Sequence, residues 1–226
     1  MDTMAAIDAY VDRIYCINLD SRKDRWQNVS DEFARIGILD RVDRVPGIVD
    51  RDPRIGCLKS HQACVNDAGE NGYEKILVCE DDVRFYDIAT SAVAGAVEFL
   101  TVNETWELFY LGGMVMTPAR FLAGHVFKAC FFSTHAYIIH QRAYEKVRAA
   151  EAPIDIWYAG NMYSCGLYPL YATQSESYSD IRKKVIVNRE DGFLRKYRLL
   201  VEPPFPVRWK HYLYRKYLRN IYPFRR

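Results

Sequence analysis

Apolar residues fall along this chain in short, dense runs separated by longer amphipathic stretches. Val11 to Leu19 is apolar toward its end, as a strand covered on both faces would be. Asp20 or Ser21 then caps a predicted helix reaching to about Ile36, with Trp26, Val29, Phe33 and Ile36 on its apolar face and Gly37 as its stop. Arg41 to Val45 reads as a second strand. Pro53 and Gly56 punctuate a loop, a helix follows from Leu58 to Ala68, and Gly69 and Gly72 end it. Lys75 to Cys79 is the clearest buried strand. Asp87 can cap a helix from Ile88 to Leu100. Leu108 to Leu111 and Tyr137 to Ile139 read as strands, the first closed by Gly112-Gly113. A helix from Arg142 to Ala150 is broken at Pro153, and Leu167 to Ala172 is the last predicted strand. This alternation of strand and helix predicts an α/β chain with a mostly parallel central sheet and helices on both faces.

Composition sharpens the organisation. With 226 residues, half of them hydrophobic and 27% charged, the chain can bury one substantial core. The net charge of +2 conceals an asymmetry. Residues 182–226 hold 14 Lys/Arg against 3 Asp/Glu, so the body before them is acidic. We therefore expect a domain over residues 1–181 and a basic, aromatic extension over 182–226. Within 195–226 a helical face of Trp209, Tyr212, Leu213, Lys216, Tyr217 and Ile221 either packs on the acidic body or meets an anionic membrane surface. Nucleic acid is not expected as a partner, because the body is acidic and carries no RNA-binding motif. Charges interrupt every apolar run near the N-terminus, and no run approaches the roughly 20 residues of a membrane span. The six cysteines lack close paired spacing; Cys57 and Cys64, seven apart, read as buried thiols on one helical face. A cytoplasmic location, peripheral on the inner membrane face if the basic end binds lipid, follows as the expectation.

The chemistry concentrates at Glu80-Asp81-Asp82, directly after the clearest strand. Ligands of open α/β sheets collect beyond the C-terminal ends of strands. Clustered carboxylates there suit a hard cation, which commonly also holds substrate phosphates. In an extended segment Glu80 and Asp82 point one way and Asp81 the other. The alternative is a solvated acidic turn.

Five blocks in order carry a resemblance. They are Ile17 to Arg25, Gly56-Cys57-Leu58-Lys59-Ser60-His61, Lys75 to Val83 around the triplet, Thr134 to Ile139, and Gln174 with Ser179-Asp180-Ile181. Together they resemble glycosyltransferase family 25, the lipopolysaccharide and lipooligosaccharide glycosyltransferases related to collagen galactosyltransferases. The resemblance implies the GT-A nucleotide-diphosphosugar transferase fold. It also implies a Mn2+ or Mg2+ ion, and transfer of galactose or glucose from a UDP-sugar to a saccharide or lipid-linked acceptor, with inversion.

Carried onto this chain, the resemblance makes Asp82 the first metal ligand and Glu80 a ligand or nucleotide contact, with Asp81 in the same network. Asn18 and Leu19 would line the nucleotide pocket. Arg22 and Arg25 would pin phosphates with their forked donors, or sit on a solvated helical turn. Ser60 and His61, near a predicted helix start, would meet anionic groups, with Lys59 a weaker candidate. Gln174 would contact substrate. Inversion needs a base, for which Asp155 and Asp180 compete; Asp155 also reads as a helix cap. His135 is open between a metal neighbour and a strand-surface residue. Gly112-Gly113 permits either close approach of a sugar or a plain turn. Besides transfer, a non-catalytic carbohydrate-binding or structural relative fits the residues. A nucleotidyltransferase fits less well, since Asn18-Leu19-Asp20-Ser21-Arg22 holds no glycine where a triphosphate clamp would stand.

Overall fold

The computed structural model describes residues 3–103, 105–117, 119–175, 177–179 and 184–186. In chain order the elements are α1 (Thr3–Asp8), β1 (Arg13–Asn18), α2 (Lys23–Arg35), β2 (Val42–Pro46), α3 (Pro53–Glu70), β3 (Lys75–Glu80), β4 (Val83–Phe85), α4 (Thr90–Val102), β5 (Leu108–Val115), β6 (Arg120–Ala123), β7 (Val126–Lys128), β8 (Phe131–His140), α5 (Tyr144–Arg148), α6 (Ile154–Asn161), β9 (Ser164–Leu167), β10 (Ala172–Gln174), β11 (Ser177–Ser179) and β12 (Lys184–Ile186). Eight strands form one sheet in the order β2-β1-β3-β8-β5-β9-β7-β6; β10 pairs with β4, and β11 with β12.

The sheet is mixed, which overturns the mostly parallel sheet expected from the sequence. β1 is parallel to β2 and β3, and β5 to β9. β8, however, inserts between β3 and β5 antiparallel to both, and β7 is antiparallel to β9 and β6. The physical reason is that a continuous apolar run reports burial on both faces and says nothing of strand direction. The β6–β7 hairpin, turning at Gly124 with φ 43°, is too short to read from periodicity.

Helices do cover both faces. On one side α1, α2 and α4 bury Met4, Ile7, Val29, Phe33, Val93 and Leu100 against Cys16, Leu77, Cys79 and Ile138. On the other α3, α5 and α6 bury Leu58, Val65, Val147 and Tyr158 against Tyr15, Ile76, Val78 and Tyr137. β3 feeds both cores because its successive side chains alternate between faces. Each fully buried aliphatic or aromatic side chain here contributes on the order of 2 kcal/mol of transfer free energy.

Several boundaries differ from the sequence reading. Arg22 occupies the N-cap of α2, with no side-chain capping bond, so neither Asp20 nor Ser21 caps it, whereas Gly37 does stop it at φ 76°. The segment read as a loop at Pro53 and Gly56 is the first turn of α3. Asp52 caps it by accepting from Arg54 N, and Pro53 sits where its missing N–H costs nothing. Ala89, not Asp87, precedes α4. β5 continues through Gly112-Gly113 rather than turning there. The stretch Leu167 to Ala172 is not one strand but the ends of β9 and β10 around a cis Tyr168–Pro169 bond. The expected domain boundary near Ile181 and the stretch 195–226 lie outside the described residues.

Candidate functional site

Glu80 is the last residue of β3, and Asp81 and Asp82 form the turn into β4. Parallel pairing with β1 sets Ile17 opposite Glu80 and brings Asn18 beside the turn. Asn18 Nδ2 donates to Asp81 Oδ2 at 2.7 Å and also to Arg22 O, while Asn18 Oδ1 accepts from Arg44 Nε at 2.9 Å. Arg25, in the first turn of α2, reaches back so that Nη1 lies 2.6 Å from Asp81 Oδ1 and 3.8 Å from Asp82 Oδ2. Asp81 is thus held on the α2 side of the sheet.

Glu80 faces the other way, under α3. Its Oε1 accepts from Thr134 Oγ1 of β8 at 2.5 Å and lies 3.5 Å from His61 Nε2. His61 is 1% exposed, and Nε2 makes no hydrogen bond among the described residues. The other ring nitrogen, Nδ1, lies 2.7 Å from Tyr137 OH, which lies 3.1 Å from Tyr158 OH of α6. Cys57 stands one helical turn before His61, and the Cys57, His61 and Glu80 donor atoms all fall within 4.8 Å of one another. At Asp82, Gln174 Nε2 of β10 lies 3.5 Å from both carboxylate oxygens, and Ser175 N donates to Asp82 O at 2.6 Å.

The burial of three adjacent carboxylates has electrostatic consequences. Loss of hydration, then repulsion from Glu80 and Asp81, pushes Asp82 up to about 7 against the opposing pull of Arg25 and Gln174. Burial also raises Asp81, outweighing Arg25 and Asn18. Burial acts most strongly on Glu80 too, yet His61, Thr134 and His135 together overcome it and hold its carboxyl below the usual range. The Cys57 thiol is pushed well up by burial, and further by the charges of Glu80, Asp155 and Asp82.

The remaining expected site residues are placed as follows. Half-buried Leu19 packs at Gly47. Arg22 pairs with Asp24 at 3.0 Å on the surface, and Lys59 with Asp50 at 2.7 Å. Ser60 and His61 lie two turns inside α3, not at its N-terminus, so the helix end is not what would draw an anion to them. Ser60 Oγ instead donates to Gly56 O and accepts from Ile48 N, both at 2.8 Å. His135 is buried on β8 against Gly112, whose added Cβ would stand 2.4 Å from His135 Nε2 and 2.2 Å from Ala172 O. Gly112 therefore serves close strand packing rather than a turn. Asp155 is the second residue of α6; it does not cap that helix but accepts locally from Ile156 N, and its charge is felt at Cys57 and Tyr110. Asp180 lies outside the described residues. Thr134, Tyr137 and Cys57 are contributors that the sequence reading missed. The detectable signal was Cys57 and His61 at i and i+4 of one helix.

A hard cation such as Mn2+ or Mg2+ wants several oxygen ligands. Here Asp81 is already bonded to Asn18 and Arg25, Glu80 faces a thiol and an imidazole, and Gln174 presents its NH2 to Asp82. The donors fit such an ion poorly; the mixed sulfur, nitrogen and oxygen trio is the set this fold assembles.

Among known proteins, the family model for glycosyltransferase family 25 (LPS biosynthesis protein) matches residues 52–121, which include α3, β3 and the triplet. The chain is similar to the probable inactive glycosyltransferase 25 family member 3 of Rattus norvegicus, 29% identical over 49% of this chain and 22% of that protein. It is likewise similar to the inactive glycosyltransferase 25 family member 3 of Homo sapiens, 27% identical over 57% of this chain and 23% of that protein. The match thus spans less than a quarter of either relative's length. Among solved structures, A197 from STIV aligns over 85% of this chain and 98% of its own, at 11% identity and a TM-score of 0.49. The family model, over residues 52–121, and the two curated relatives make this chain similar to glycosyltransferase family 25.

Proposed function

We propose that this chain is a carbohydrate-binding relative of the family-25 glycosyltransferases that holds a saccharide at the acidic turn without transferring sugar. The observation carrying this reading is Arg25 lodged against Asp81 and Asp82. Its charge is committed to the carboxylates, so it adds little attraction for a diphosphate. The carboxylates and Gln174 still offer acceptors and donors suited to sugar hydroxyls. The description of both curated relatives as inactive agrees with this.

Calorimetric titration with glucose, galactose and their disaccharides, beside a UDP-release screen of UDP-glucose, UDP-galactose and their N-acetyl forms with Mn2+, tests it. The expected result is saccharide binding that Asp82→Ala abolishes and no UDP release above a protein-free control. Turnover of any UDP-sugar, lost in Asp82→Ala, would overturn it.

One observation favours a second reading, hexosyl transfer from UDP-glucose or UDP-galactose to a saccharide or lipid-linked acceptor. Asp155 is not consumed in capping α6 and lies within electrostatic reach of the Cys57 side of the site. A carboxylate so placed could take the proton of an acceptor hydroxyl. Under this reading Asp155→Asn removes UDP release while saccharide binding persists.

A further inference from the structure

We propose that Cys57, His61 and Glu80 form a binding site for a thiophilic divalent ion of the zinc type, distinct in chemistry from the Mn2+ or Mg2+ that the family resemblance implies. The inference stands apart from the saccharide-binding reading, and either can fail alone.

The trio is built from two rigid elements. Cys57 and His61 occupy the same face of α3 one turn apart, and Glu80 ends the buried strand β3 beneath them. Their donor atoms lie within 4.8 Å of one another, and the His61 Nε2 to Glu80 Oε1 separation is already 3.5 Å. Zinc bonds of about 2.0–2.3 Å place tetrahedral ligand atoms roughly 3.5 Å apart, so the thiol has to close by about 1.3 Å at most. Sulfur with imidazole and one carboxylate is a set that zinc accepts and that Mg2+ and Mn2+ do not prefer.

His61 supplies an independent observation. Its ring is 1% exposed, and Nε2, aimed at Glu80, is buried without a hydrogen bond among the described residues. A buried polar nitrogen left so carries a desolvation cost that a ligand would remove. The opposite nitrogen is fixed by Tyr137 OH, itself steadied by Tyr158. Metal-bound histidines are oriented through their second nitrogen in this way. Thr134 performs the matching service for Glu80. Three protein ligands leave a fourth position for water or a small donor. On binding, the Cys57 thiol proton leaves to solvent and the thiolate takes its place on the metal.

The full chain, stripped with chelator and kept reduced with a phosphine, would be titrated with Co2+ as a spectroscopic stand-in. The expected result is one Co2+ per chain with a near-ultraviolet thiolate-to-cobalt band, bleached by equimolar Zn2+ but not by excess Mg2+ or Mn2+. Cys57→Ser should lose the band, and Tyr137→Phe should weaken affinity about tenfold through the loosened imidazole. No band, a band unchanged in Cys57→Ser, or Co2+ displaced by Mn2+ with an oxygen-ligand spectrum would each overturn the proposal. Should Cys57→Ser fail to fold, alkylation of Cys57 in the parent chain, read by peptide mass spectrometry, decides. Zn2+ should slow it at least tenfold, and an unprotected thiol would overturn the site.

Discussion

Arg25 Nη1 lies 2.6 Å from Asp81 Oδ1, and the two side chains are only 13% and 8% exposed. Neither charge is well hydrated, so each depends on the other. Burial raises Asp81 even with the guanidinium present. Arg25→Ala should therefore cost on the order of 3–5 kcal/mol in urea unfolding, because it strands a buried carboxylate. Adding Asp81→Asn should recover part of that loss, since the amide carries no charge to strand. A double-mutant cycle measures the coupling directly; additive effects would show that the pair is not a unit.

Glu32 ties α2 to β4 through a similar but structural device. Its Oε1 accepts from Phe85 N at 2.6 Å and from Arg35 Nη2 at 2.7 Å, and Arg84 stands 3.8 Å from Oε2. Burial opposes its ionisation, but Arg35, Phe85 N–H and Arg84 together hold its carboxyl below the usual value. A depressed folded value means the stabilisation is complete above the unfolded glutamate range, near pH 4.3, and is lost as pH falls through the folded value. Glu32→Gln should lower stability by about 2 kcal/mol at pH 7 and leave a shallower acid limb in melts from pH 6 to pH 3. Equal acid limbs in the two chains would contradict this.

How far the sequence disclosed the molecule depends on which force writes the pattern. β3 and the triplet were visible because burial and charge both mark composition: four consecutive buried residues run straight into three carboxylates. Strand direction was not visible, since Val78 is equally buried whether β8 runs with it or against it. The start of α3 was misread because proline breaks a helix interior yet favours its first turn, and only the Asp52 cap distinguishes the two. That shift carries Cys57 into the helix and onto the face of His61. Cys57 then meets Glu80, whereas Cys64, two turns on, is plain core. The Arg25 contact escaped because a long side chain returning from α2 leaves no periodic trace.

Gln62 closes the end of α5 from a neighbouring helix. Its Nε2 donates to Val147 O at 3.0 Å, Arg148 O at 3.2 Å and Ala150 O at 3.0 Å. These carbonyls belong to the last turn and exit of a helix, where intrahelical partners run out. Gln62→Ala should cost about 1–2 kcal/mol and speed amide exchange at Ala149 and Ala150, whose N–H groups close the same turn. Exchange unchanged at those two amides would show that water serves the carbonyls equally well.

Gly112 and Gly95 should respond to alanine with opposite signs. A Cβ at Gly112 would stand 2.2 Å from Ala172 O and 2.4 Å from His135 Nε2, and one of those neighbours is backbone that cannot swing aside. A Cβ at Gly95, inside α4, meets nothing within 4 Å. Gly95→Ala should stabilise by roughly 0.5–1 kcal/mol through helix propensity and a less flexible unfolded chain. Gly112→Ala should destabilise by about 1–3 kcal/mol, as overpacking does. It should also push β10 from β5, carrying Gln174 away from Asp82. A Gly112→Ala chain as stable as its parent would show that β10 moves freely. Saccharide affinity that then falls as far as in Gln174→Ala would locate the loss at Gln174, and affinity preserved in both variants would remove Gln174 from the site.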